Sequence, residues 1–159
     1  MLWRIYKCFK LKPSSIGDPN IYLGAKLKKM RLENRVWAWA NIPESYVKES
    51  VEKVEKYLAE LVDAHCKLKK KKAENPFIGD YATEMDETPP LEQDIAFWYQ
   101  YFIGIPRWMV EIGTVDIITE VSIMAQKMAM HREGHLESVF HVFSFLRQKY
   151  ISRMAFDQT

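Results

Sequence analysis

FWYQYFIGIPRWMVEIGTVDI, Phe97 to Ile117, is the stretch whose reading decides the fold. Its apolar residues recur at helical spacing, and one face carries Gln100, Gly104 and Trp108 at four-residue intervals. Glycine inside a helix is less favourable than alanine by about 1 kcal/mol, so its place between an amide and an indole calls for a reason. One reason is close approach of another molecule to the backbone. A nucleic-acid minor groove fits, with Trp108 supplying a flat surface and one N–H, Gln100 a donor and an acceptor, and Gly104 the clearance between them. The other is ordinary helix–helix packing, in which a small residue lets a neighbouring helix come near.

Working outward, Ile21 to Leu27 and Arg35 to Ala40 read as two strands of a hairpin turning near Leu32-Glu33-Asn34. A helix follows from about Glu44 to His65, its apolar stripe made by Val47, Val51, Val54, Leu58 and Leu61. Residues 67–90, with the lysine run Lys69 to Lys72, Asn75-Pro76, Gly79 and Pro89-Pro90, read as linker. The helix of the opening stretch starts at Thr88 or Pro89 and ends near Gly113. Pro106 inside it predicts a lost hydrogen bond or a kink that turns Trp108 away from Gln100. Two more helices are expected, to about Met130 and from Arg132 to Lys149, and a short strand over 151–157. The expected fold is therefore α+β, an N-terminal hairpin followed by a mostly helical region. Residues 1–66, 67–90 and 91–159 are its parts.

The chain has 159 residues, 48% hydrophobic and 28% charged, enough for one core or two small subdomains. A net charge of +2 announces no nucleic-acid partner, but Lys7, Lys10, Lys12, Lys26, Lys28, Lys29, Arg31 and Arg35 crowd the N-terminal part. Cys8 and Cys66, without a C-x-x-C pair or a secretory signal, read as reduced thiols of an intracellular protein. No run of about 18 apolar residues occurs, so no membrane partner is expected.

The order of short motifs carries a resemblance. YQYFIGIPRWM is followed by Asp116-Ile117, Val121-Ser122 and Met124, Glu133-Gly134-His135-Leu136, Phe145-Leu146, and Met154-Ala155-Phe156-Asp157. Upstream stand Tyr22-Leu23-Gly24-Ala25-Lys26-Leu27, Val36-Trp37-Ala38-Trp39-Ala40 and Ser45-Tyr46-Val47. Over roughly residues 9–157 this resembles the region after the catalytic palm in copia-type retrotransposon reverse transcriptases: primer grip, thumb and connection. The resemblance implies an RNA/DNA primer–template as partner, together with the palm and RNase H parts of the polyprotein, in a cytoplasmic particle or the nucleus. It puts Gln100, Gly104 and Trp108 in the minor groove, Trp37 and Trp39 near the primer end, and Lys26, Lys28 and Lys29 on phosphates. Magnesium belongs to the parent polymerase; no cofactor is expected here, because the "Y-x-D-D" hairpin that holds the metals is absent. The sequence reads as starting downstream of that hairpin and stopping where the linker to RNase H begins, so it is not expected to polymerise alone. Thr114-Val115 stands where the family commonly has "R-P".

Other features have plainer readings. Trp37 and Trp39 share a strand face and can pack on a palm as well as stack on a base. The lysine run suits phosphates or a solvated linker. His131 and His135 stand at the i,i+4 spacing of a zinc grip but lack a third ligand. A decayed relic or a helical protein-interaction module is the alternative class, and exposed apolar faces are its expected sign.

Overall fold

The computed structural model describes residues 17–60, 73–79, 81–150 and 153–156. The expected helix end over residues 4–12, Lys7, Lys10, Lys12, Cys8, Cys66, Leu61 to His65 and the lysine run lie outside them. The fold is α+β: a four-stranded antiparallel sheet in the order β1-β2-β3-β4 beside a layer of four helices. No helix among the described residues is long and apolar enough to cross a membrane.

Strand β1 (Ile21–Tyr22) turns into β2 (Ala25–Arg31), and β3 (Trp37–Ile42) returns along β2. The single strand expected from Ile21 to Leu27 is thus a hairpin of its own. Leu23 and Gly24 both take positive φ, 53° and 92°, and a two-residue turn of that kind reverses the chain with the twist the strands need. The second turn is tied by Leu32 N–H donating to Val36 O at 2.9 Å and Val36 N–H to Asn34 Oδ1 at 3.0 Å. Strand β4 (Met154–Phe156) adds to the far side of β3, with Trp39 opposite Phe156 and Asn41 opposite Met154. The C-terminal segment therefore completes a sheet begun more than a hundred residues earlier.

Helix α1 (Glu44–Glu60) follows Pro43 and buries Val47, Val51, Val54 and Leu58, as its stripe predicts. Helix α2 (Gln93–Glu111) runs unbroken through Pro106 and buries Tyr99, Phe102, Ile103, Pro106 and Met109. A 3-10 turn, Val115–Ile117, leads into α3 (Ile118–Gln126), and α4 (Glu133–Leu146) closes the layer. Tyr57, Trp98 and Phe102 form an aromatic cluster between α1 and α2, and Phe140 and Phe143 extend it to α4. Tyr99 Oη donates to Met124 O at 2.7 Å, fastening α2 to α3.

Residues 81–90, expected as linker, are pinned to the start of α4. Leu91 N–H donates to His131 O and Glu133 N–H to Pro89 O, and this pairing holds 89–91 extended, so α2 begins later than the sequence suggests. The first turn of α4 has orphan N–H groups. Two are met from outside the helix: besides Glu133 on Pro89 O, Gly134 N–H donates to Thr88 Oγ1 at 2.9 Å. Buried His135 accepts the Arg132 N–H on Nδ1 at 3.1 Å, which leaves the proton on Nε2, 3.2 Å from Thr83 O and 3.6 Å from Asp86 Oδ2. Burial pushes the Asp86 carboxyl up, but hydrogen bonds from Thr88 and Tyr81 outweigh it and hold the group below its ordinary value.

Two stability predictions follow from this packing. A Cβ on Gly134 would overlap Asp86 Oδ2 and stand 2.9 Å from Tyr81 Oη, so Gly134→Ala lowers unfolding free energy in urea by about 1–3 kcal/mol. Glu120 is buried in α3, and burial raises its carboxyl to about 7. The folded state then holds a proton that the unfolded state releases near pH 4.5, so stability falls as pH rises from there through about 7. Glu120→Gln removes this slope, and urea titrations at about pH 5 and about pH 8 should differ by about 1–3 kcal/mol more for wild type than for the variant.

Candidate nucleic-acid interface

Because α2 buries the stripe from Tyr99 to Met109, its opposite face is turned to solvent. Gln100, Gly104 and Trp108 all lie on that face and all are exposed, Trp108 by 39%. The expected misalignment beyond Pro106 does not occur: the helix continues to Glu111, and Pro106 itself is on the buried side. A Cβ built on Gly104 meets nothing within 4 Å. Helix–helix packing within the described structure is therefore not the reason for this glycine.

Two residues that the sequence reading passed over join the same face. Phe97 is 64% exposed and Tyr101 47%, so the face presents Phe97, Gln100, Tyr101, Gly104 and Trp108 over three turns. The i,i+4 step from Phe97 to Tyr101, aligned with Gly104 and Trp108, was the available signal, hidden by an apolar pattern that runs almost all round the helix. Its exposed charges are few: Arg107 against Asp94 and Glu111.

The sheet divides the other predicted residues. Cross-strand partners share a face, and the register pairs Lys29 with Trp39 and Arg31 with Trp37, but Lys28 with Ala40 and Lys26 with Ile42. Lys29 therefore stands with both tryptophans, and Lys26 and Lys28 stand on the opposite face with buried Ala38 and Ala40. The three lysines do not make one patch. The Lys29 ammonium lies 5.0 Å from the centre of the ring of half-buried Trp39, a cation–π contact, whereas Trp37 is 65% exposed.

A side-chain hydrogen bond ties the sheet to the end of α2. Asn41 Nδ2 donates to Ile112 O at 2.7 Å, just after the end of α2 and one turn beyond Trp108. Gly113, at φ 111°, lets the chain turn there, with its Cβ position only 3.4 Å from Met154 Cβ. Trp108 is thus at the sheet end of α2 and Phe97 at the far end.

His131 and His135 do not converge as a zinc grip: His131 stacks on Tyr99 with ring centres 5.3 Å apart, and His135 points into the Asp86 cluster. Among the described residues no group of three His, Cys, Asp or Glu side chains is placed to hold a metal ion. Compared with known proteins, the chain matches no family model, no curated protein and no solved structure.

Gly104→Ala separates fold from site. With open space around the new methyl group, the variant should gain about 0.5–1 kcal/mol in helix and protein stability, read as a higher urea midpoint. A loss instead would mean that the glycine serves the fold.

Proposed function

We propose that this chain is the primer-grip, thumb and connection part of a copia-type retrotransposon reverse transcriptase, and that it holds an RNA/DNA primer–template without catalysing synthesis. The observation that carries the reading is the open Gly104 between exposed Gln100 and Trp108. A glycine with a cost of about 1 kcal/mol and no tight neighbour among the described residues leaves clearance for an outside molecule. On this reading the sugar edge of the minor groove lies along α2, Gln100 donates and accepts at base edges or sugars, and the Trp108 indole lies flat against the groove. The hairpin then sits at the primer end, with Trp37 and Trp39 toward it.

The charge distribution supports a division of labour. Residues 21–42 carry five cations and one acid, Glu33, while the helix face is close to neutral. Phosphate attraction is thus the hairpin's part, and shape and apolar contact the helix's part. Magnesium, which the resemblance implies for the parent polymerase, finds no donor set among the described residues.

A helical protein-interaction module is the second reading, favoured by the exposed aromatics Phe97 and Tyr101. The two part company on one titration. With a labelled blunt RNA/DNA hybrid in fluorescence anisotropy, Gln100→Ala combined with Trp108→Ala should cost about 2 kcal/mol, near thirtyfold in Kd. Gly104→Ala should weaken binding while stabilising the fold. Unchanged affinity in both variants would remove the groove reading, and a salt slope near zero would remove the phosphate contacts.

A further inference from the structure

The face of the sheet that holds both tryptophans forms a small grid. Across β2, β3 and β4 one row is Leu27, Asn41 and Met154, the next is Lys29, Trp39 and Phe156, and the third has Arg31 and Trp37. Among the described residues the turn after helix α2 covers the first row, through the Asn41 amide bond to Ile112 O and the contact at Gly113. The other two rows are open, with Trp37 65% and Phe156 49% exposed.

We propose that this open half of the sheet is a binding site for single-stranded nucleic acid, the bases stacking on Trp37 and Phe156 and the phosphates meeting Lys29 and Arg31. It rests on the reading above, which puts this hairpin at the primer end, and names what the open rows meet there: an unpaired stretch of strand. Rings standing up from a sheet offer flat faces; a base inside a duplex shows only its edges in the grooves, so successive stacked contacts need bases that are out of the duplex. Stacking of that kind tolerates any base.

Charge selects this occupant over an apolar protein surface. Each tryptophan has a cation directly across the strand pair, Lys29 for Trp39 and Arg31 for Trp37. An apolar protein surface laid here would strip water from both cations without offering an anion. A nucleic-acid strand supplies a phosphate for every base, so a column of cations on β2 beside a column of rings on β3 is matched in chemistry and order. Arg31 is exposed and tethered, its Nε donating to Arg35 O at 3.2 Å across the turn. Trp39 acts as a buttress, since the Lys29 ammonium already lies against its ring.

The test uses the full chain with two probes, a fluorescein-labelled oligothymidylate and the labelled blunt RNA/DNA hybrid, followed by anisotropy. Oligothymidylate should bind, and Trp37→Ala with Phe156→Ala should weaken it about tenfold or more. Trp37→Phe, which keeps a ring, should restore most of that affinity. Lys29→Glu with Arg31→Glu should weaken it and flatten its salt dependence. Gln100→Ala with Trp108→Ala should leave it within about twofold, because those residues stand on the helix. Absence of oligothymidylate binding, or wild-type affinity in the Trp37 and Phe156 double variant, overturns the proposal. Hybrid binding without oligothymidylate binding would leave the helix-face reading standing alone, and the reverse result would remove that reading and keep this one.

Discussion

Burial of one side of α2 is the constraint on which the rest depends. Tyr99, Phe102, Ile103, Pro106 and Met109 form its inner stripe, and they touch α1, α3 and α4 through aromatic rings and the Tyr99 hydroxyl. Large side chains of this kind contribute about 1.5–3 kcal/mol each when fully buried, far more than any exposed contact of the helix. That burial fixes the rotation of α2 about its axis. With the rotation fixed, Gln100, Gly104 and Trp108 have no freedom to face inward, and the exposed face follows from the hidden one.

The two exposed surfaces differ in chemistry because their supports differ. On α2 the outward residues are neutral aromatics and an amide, suited to shape and to sugar or base edges. On the sheet, period-two alternation puts a cation beside each tryptophan, suited to a charged strand. The bond from Asn41 to Ile112 O joins the supports at one point, so the sheet end of α2 and the covered row of the grid are neighbours. A partner that uses both surfaces meets apolar contact on one and phosphate attraction on the other.

Much of this was legible in the sequence where the signal is local. The four-and-three spacing of valines and leucines in α1 predicts a buried face that the structure has. The face of Gln100, Gly104 and Trp108 was visible for the same reason. What was hidden is non-local. Nothing in Met154–Phe156 says that it pairs with a strand more than a hundred residues back. Thr88 and Asp86 look like loop residues until the start of α4 arrives to use them. Leu23-Gly24 breaks a strand through positive φ at a leucine, which propensity argues against. The lysines show the limit of counting charges: Lys26, Lys28 and Lys29 are near neighbours in sequence, and the pleat sends Lys29 to the other face.

The most direct measurement is a two-dimensional NMR titration of the labelled chain with a blunt RNA/DNA hybrid, following backbone amides and the Trp108 indole Nε1–H. The account predicts shifts concentrated on the outer face of α2, from Phe97 through Gly104 to Glu111, with the Trp108 indole among the largest. The buried stripe and the α1 and α4 surfaces should stay still. A titration that leaves the Gly104 amide and the Trp108 indole unmoved while the hybrid binds elsewhere, or does not bind, would contradict it.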